Sequence, residues 1–468
     1  MPPSHACDRC YSLKVRCLSG PAAKCYRCYR LHKLCTFYRR RGKRGPKPRT
    51  LTPNPLESSG EPGSLSSSIN TPYFRPYPVG SQAVIDQGDQ SAQELALATI
   101  LRHEALFAPV PACTASSICS FFSLGPQLSM DMSRMIRSRV AEAPALLLRP
   151  YVAVSRVFPR CNANNKTPCS DADWSSCASA LQALRGARIS RPEHVGIFVS
   201  LGMSLVTFHR LISGISASSI CRFTLSLIRS SYYSEQLSES GTMGLVYLVF
   251  LDTTQSLFRA QVPVIEYRVK DPCWVDQQGG LCGPLLPLLY RLCLLGASIR
   301  AGDGQNILPS SFDKLQEELN AWAPTVSQTV RERFSGAEMS LLIAQASLHR
   351  TGALLFLHRL RYPFGERDAE AGDLARSIVD GMEHCLTVAG RYPPNMTLIL
   401  LVAGAEMHDI IGKQRILLLV SRILGSNFYP FIANLRLFLR RVWAGRDQRR
   451  TRYLFQLFEE DPEISIPL

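Results

Sequence analysis

The sequence predicts a mostly α-helical chain with a small cysteine-rich head, a disordered linker and a large all-α domain. Three observations predict it. Six of the first 35 residues are cysteines. Residues 51–92 are rich in Pro, Ser and Gly, with too few aliphatic side chains to bury a core. From about residue 93 onward apolar residues recur at helical spacing between Pro and Gly breaks, and no long run alternates with period two. The boundaries drawn on this basis are 1–38 for the head, 39–50 for a basic arm, 51–92 for the linker and 93–468 for the helical domain.

Composition narrows the function classes. A chain of 468 residues that is 46% hydrophobic and 19% charged must bury a sizeable core. The longest apolar runs, 243–251 and 396–405, are closed by Asp252 and Glu406 well short of the ~20 residues a membrane span needs. The first ten residues, MPPSHACDRC, lack the charged-then-apolar order of a secretory signal. The chain is therefore expected to be intracellular and soluble, without membrane partners, where clustered thiols stay reduced and serve metal more often than disulfides. The net charge of +16 is concentrated: residues 1–50 hold 14 Lys and Arg against the single acid Asp8, whereas the other 418 hold 39 basic and 36 acidic residues. A basic head of this kind is the electrostatic footprint of a nucleic-acid reader.

The head has the spacing Cys7-x2-Cys10-x6-Cys17-x7-Cys25-x2-Cys28-x6-Cys35, an internal duplication of C-x2-C-x6-C. A Cys-x2-Cys turn brings two sulfurs onto one ion, and a tetrahedral zinc takes four. Two zinc ions need eight sulfur bonds, so six thiolates fill both only if two of them bridge. Two alternatives stay open at this point: one four-cysteine zinc ribbon from Cys7, Cys10, Cys25 and Cys28 with Cys17 and Cys35 left over, and a disulfide knot.

In this spacing the chain resembles the fungal zinc-cluster transcription factors with a binuclear Zn2Cys6 domain, over Cys7 to Cys35. The resemblance implies two Zn2+ ions, one on Cys7, Cys10, Cys17 and Cys25 and the other on Cys7, Cys25, Cys28 and Cys35, with Cys7 and Cys25 bridging. It also implies a short helix after each Cys-x2-Cys, the first of which presents its C-terminal end to a CGG triplet in the major groove. Lys14 then stands where the family's lysine meets guanine O6 and N7. Arg9, Arg16, Lys24, Arg27, Arg30 and Lys33 are expected on phosphates, which position the domain without reading sequence. Two features depart from the family: Tyr11, Ser12 and Leu13 precede Lys14 where a basic run is usual, and Pro21 lies four residues before Cys25.

Arg39, Arg40, Arg41, Lys43, Arg44, Lys47 and Arg49 form the arm, a cationic stretch that suits both the phosphate backbone and a nuclear import receptor. No a/d heptad runs between residues 36 and 92, so a coiled-coil dimer is not expected; a homodimer through the helical domain stays open.

Within the large domain, Ser310 and Asp313 are spaced as a capping box ahead of Leu315, Leu319 and Trp322, with a stop at Pro324. Ser335 and Glu338 are spaced the same way ahead of a helix to about Leu360, which is apolar almost all round and so expected at the centre. Leu374, Ile378, Met382 and Cys385 repeat at helical spacing, as do Phe431, Leu435, Phe438 and Val442. Several phrases resemble the regulatory middle domain of the same family: an apolar helix ending in Asp252 with FRAQVPVI after it, LNAWAP (319–324), SLHRTGALLFLHRL, LILLVAGAEMHDIIGKQRI and ANLRLFLRRVWAGRD. That resemblance implies a helical, non-catalytic regulatory module.

Catalytic signatures are missing: there is no G-x-S-x-G, P-loop or H-E-x-x-H, and the GDG at 302–304 does not extend to a nucleotide loop. His349, His358, His384, Cys385 and His408 are expected as separate core or groove residues. Cys161, Cys169 and Cys177 offer three ligands without a fourth. The C-terminal stretch mixes Phe455, Leu457 and Phe458 with Glu459, Glu460, Asp461 and Glu463, which suits either an exposed activation segment for a coactivator or a last helix docked on the core.

The expectation is a nuclear, non-enzymatic, sequence-specific transcription factor of the RNA polymerase II type. It binds double-stranded DNA at CGG-like sites, works with the transcription machinery or coactivators, and in its family's habit regulates one pathway, secondary metabolite biosynthesis among the candidates. Two rivals are an enzymatic or metabolite-binding body that carries a zinc head, and a zinc-stabilised interaction adaptor.

Overall fold

The computed structural model describes residues 118–160, 169–189, 191–214, 217–234, 244–302, 308–424, 429–448 and 452–460, together with Cys25, Cys28 and Cys35. The chain divides into two units, Met1–Pro76 and Tyr77–Leu468.

The second unit is helical. Its helices are α1 (Pro126–Glu142), α2 (Pro144–Val157), α3 (Asp171–Gly186), α4 (Val195–Ser213), α5 (Ser218–Tyr233), α6 (Leu245–Arg259), α7 (Leu286–Arg300), α8 (Pro309–Ala321), α9 (Gln328–Arg333), α10 (Gly336–Arg361), α11 (Asp368–Ala389), α12 (Thr397–Ala405), α13 (Ile410–Leu424), α14 (Tyr429–Asp447) and α15 (Gln456–Glu460). Among the described residues there is no strand; the one β-type pairing is the bridge between Asp276 and Gly280, a tight turn in which Gly280 takes φ 57°.

Two of these helices begin where local chemistry dictates, and one does not begin where expected. Ser335 accepts from the Glu338 N–H at 3.3 Å while Glu338 accepts from the Ser335 N–H at 3.0 Å, so two of the open donors of α10 are closed reciprocally. Ser170 and Asp173 do the same for α3. By contrast, Ser310 and Asp313 form no capping box: α8 starts at Pro309, whose fixed φ and missing N–H suit a first helical position, and Leu308 precedes it without a side-chain cap. Asp313 pairs instead with Arg361 at 2.5 Å. The helix ends at Ala321, with Leu315 and Leu319 buried.

The apolar helix expected to end in Asp252 runs on to Arg259. Asp252 is buried in its middle, where the Arg222 guanidinium donates at 2.8 Å and the Val264 N–H at 2.6 Å. A carboxylate can sit there because both partners are supplied by tertiary structure.

Helices α4, α6 and α12 are buried over most of their length, and α10 packs along α11 with α8, α7 and α12 around it. As expected, α10 is central: Leu342, Gln345, Ala346 and Leu355 on it are wholly enclosed. On α11, Ile378, Met382 and Cys385 face the core while Leu374 is half-buried; on α14, Phe431, Leu435, Phe438 and Val442 are all buried. Helix α14 packs on both α4 and α12, which joins the end of the chain to its earlier half. Two stretches, Pro192–Ser213 and Gly336–Arg361, are long and apolar enough to cross a membrane, yet 78% and 61% of their most apolar windows are buried inside the protein. Their composition is explained by the core they build.

The C-terminal aromatics are docked. Leu454, Phe455, Leu457 and Phe458 are buried, Phe458 stacks on Phe438 with ring centroids 6.0 Å apart, and Arg259 lies 4.9 Å over the Phe458 ring. Glu459 receives the Arg300 guanidinium at 2.8 Å. An activation segment needs exposed aromatics, so the docking alternative describes Phe455, Leu457 and Phe458.

Candidate metal centre

Three of the six head cysteines are described, and they come together. The Sγ atoms of Cys25, Cys28 and Cys35 all lie within 4.8 Å of one another. Four sulfurs on one tetrahedral zinc, each at about 2.3 Å, stand roughly 3.8 Å apart, so these three fit a shared ion with a small inward adjustment. Cys25 and Cys28 are almost fully buried and Cys35 is partly exposed.

The backbone aims donors at the sulfurs. The Cys28 N–H donates to Cys25 Sγ at 3.3 Å, three residues back, which is the turn a Cys-x2-Cys pair makes when both sulfurs point to one place. The Cys25 N–H donates to Cys35 Sγ at 3.2 Å and ties the far end of the repeat to its start. Amide donors favour the anionic form of a sulfur, which is the form that binds metal, and they fix its orientation. Cys7, Cys10 and Cys17 lie outside the described residues. So do the base-reading candidate Lys14, the phosphate candidates Arg9, Arg16, Lys24, Arg27, Arg30 and Lys33, and the arm residues Arg39, Arg40, Arg41, Lys43, Arg44, Lys47 and Arg49.

No match to this chain is found among family models, curated proteins or solved structures.

The cysteines of the helical unit are of another kind. Burial pushes the Cys119 thiol up to about 11 and Cys177 up to about 12, and it raises Cys221, Cys282, Cys293 and Cys385 as well. These are protonated packing residues. Of the set Cys161, Cys169 and Cys177, Cys161 lies outside the described residues.

Of the histidines, His349 stands edge-on to Phe250 in the core, where burial holds its pKa down to about 3; neither ring nitrogen meets a protein hydrogen-bond partner. His358 meets the Arg367 carbonyl at 3.1 Å, and His384 is exposed on α11. Only His408 joins a three-ligand group among the described residues, with Asp368 and Glu406.

That group is an ion-pair network which the sequence did not reveal. Arg359 clamps Glu406 with two bonds of 2.8 and 2.6 Å and donates to Asp368 at 2.7 Å. Arg446 reaches Glu406 at 3.3 Å, donates to the Ala405 carbonyl and meets His408 Nε2 at 2.8 Å. The Phe364 ring packs against both guanidiniums, 5.1 Å from Arg359 and 4.3 Å from Arg446. Burial and then Arg446 lower the His408 pKa. Two arginines already neutralise the two carboxylates, which makes this a joint between α10, α11, α12 and α14 and a poor cation site. The one visible trace in the sequence is Glu406, a lone acid closing an apolar run.

Proposed function

We propose that the chain is a nuclear, sequence-specific DNA-binding regulator of transcription by RNA polymerase II, with a binuclear zinc cluster on Cys7, Cys10, Cys17, Cys25, Cys28 and Cys35 that presents Lys14 to CGG-like triplets. The observation that carries it is the duplicated C-x2-C-x6-C spacing. The convergence of Cys25, Cys28 and Cys35 supports it, because these are three of the four ligands that the resemblance gives to the second zinc. The four-cysteine ribbon would leave Cys35 spare; the N–H donated by Cys25 to its sulfur argues for a ligand's role.

Bound zinc would supply a fixed crosslink in a head too small to build a core. The chain's own groups do the reading. Lys14 offers ammonium donors to guanine O6 and N7, while the surrounding arginines and lysines and the arm from Arg39 to Arg49 hold phosphates and set the register. The helical body then acts as a regulatory, non-catalytic unit, and a single pathway, such as one of secondary metabolism, is its proposed target.

The test is selection of bound DNA from a random pool by zinc-loaded full-length protein, with zinc content measured on the same sample. Enrichment of CGG-like triplets at two zinc ions per chain is the expected result; zinc binding with no enriched sequence would replace this reading with that of an interaction adaptor.

A further inference from the structure

We propose that Cys35 is the site at which peroxide opens the head: its sulfur is oxidised and then captured by Cys28 as a disulfide, which withdraws both from metal. The inference rests on the binuclear-cluster reading above and adds to it a means of regulation.

Two observations point to this pair. Exposure separates the three described cysteines of the head: Cys25 and Cys28 are 2% and 1% exposed, whereas Cys35 is partly open to solvent. An oxidant has to touch the sulfur it attacks, so among these three Cys35 is met first. The second observation is proximity. All three Sγ atoms lie within 4.8 Å of one another. A disulfide holds its sulfurs about 2.05 Å apart, so closing one here needs a movement of less than about 3 Å. An accessible sulfur with a sheltered one beside it is the arrangement by which an oxidised cysteine is resolved into a disulfide.

Cys28 is the better resolving partner. Cys25 Sγ accepts the Cys28 N–H at 3.3 Å, and in the proposed cluster it is shared by both ions. Each of these draws off electron density that an attack on another sulfur needs. The Cys25 N–H on Cys35 Sγ, at 3.2 Å, tempers Cys35 in the same way but leaves it partly exposed. In the helical unit, the thiols of Cys119, Cys177, Cys221, Cys282, Cys293 and Cys385 are raised by burial, so they stay protonated and compete poorly.

The chemistry balances with hydrogen peroxide as the oxidant. The Cys35 thiolate attacks one peroxide oxygen, the O–O bond breaks, and hydroxide leaves while Cys35 becomes a sulfenic acid. The Cys28 thiolate then attacks that sulfur and expels a second hydroxide. Two thiolates have given two electrons to one peroxide, and the product is a Cys28–Cys35 disulfide. In the proposed ligand set both residues serve the second ion, for which only Cys7 and Cys25 then remain; the four sulfurs of the first ion are untouched. A thiol reductant with fresh zinc reverses the change.

The test treats zinc-loaded full-length protein with hydrogen peroxide and follows three quantities together: zinc released to a chromogenic chelator, disulfides mapped by mass spectrometry, and affinity for the selected DNA. A digest that cuts after Tyr26 and Tyr29 puts Cys25, Cys28 and Cys35 on separate peptides. The expected result is release of one of the two zinc ions in step with a Cys28–Cys35 disulfide. DNA affinity should fall at least ~10-fold with it and return with thiol reductant and zinc. Zinc release with Cys28 and Cys35 still reduced, or a first disulfide that joins any other pair, overturns the proposal. So does a head that stays reduced at peroxide levels that oxidise a simple thiol peptide. Two zinc ions and CGG-like enrichment before peroxide, followed by any of these outcomes, remove this proposal and leave the cluster reading standing. Fewer than two zinc ions before peroxide remove the cluster reading and the proposal with it.

Discussion

Cys35 is the residue at which the two metal readings of the head diverge. If it is a ligand of a binuclear cluster, Cys35→Ser should lower bound zinc below two per chain and weaken DNA binding, as read by metal analysis and a binding titration; on the ribbon reading zinc content would not change. Lys14→Ala should relax sequence preference at the triplet, narrowing the gap between cognate and unrelated DNA by ~1–3 kcal/mol while leaving zinc content intact. Equal affinity and selectivity in that variant would remove Lys14 from the role. The cysteine repeat was the easiest pattern to read because its spacing is local, and the sulfurs of Cys25, Cys28 and Cys35 lie within 4.8 Å of one another; the zinc measurements above test what they hold. Buried polar residues were the least legible: nothing near Asp252 in the chain announces Arg222, thirty positions earlier, as its partner.

Elements whose start is decided by neighbours in sequence could be read, and those decided by tertiary contacts could not. The Ser335–Glu338 box opened α10 as expected, whereas Pro309 overrode the matching pattern at Ser310 and Asp313 by starting α8 two residues sooner. The joint around Glu406 binds four helices, and two consequences belong at this scale. Glu406→Gln removes the charge that Arg359 and Arg446 face in a buried setting, so chemical denaturation should show a loss of about 3–5 kcal/mol, the usual penalty for breaking a buried pair by one partner. The 276–280 turn gives a pH prediction. Asp276 is buried and its pKa is raised, by burial first, despite N–H donors from Gly279 and Gln278. The folded state therefore holds this proton more tightly than the unfolded chain, and stability falls as pH climbs from the ordinary value of 3.8 through the raised one. Asn keeps an accepting oxygen without the charge, so Asp276→Asn should melt with a shallower pH slope across that window; an unchanged slope would place the effect elsewhere.

At the scale of the whole chain, charge and apolar content are divided between different regions. Nearly all the excess positive charge lies in residues 1–50, and DNA affinity should accordingly fall steeply with salt, log K decreasing linearly with log salt at ~0.9 per phosphate neutralised. Removing residues 39–50 should flatten that slope without changing the preferred triplet. The helical class of the body was legible because period-3.6 patterning is summed over hundreds of residues. The docking of the last aromatics was not, since Phe455, Leu457 and Phe458 carry the same composition whether exposed or packed on Phe438.

That last contact bears on the order in which the fold can be closed. Phe458 covers Phe438 from twenty residues further along the chain, so during synthesis this part of the core stays open to solvent until α15 has been made and has left the ribosome. A chain interrupted between α14 and α15 would carry its aromatic seam unsealed, a species that cellular quality control should remove. Protease digestion of chains stalled before and after α15 has emerged would show whether closure waits for it, making the emergence of one short helix the step that seals this part of the body.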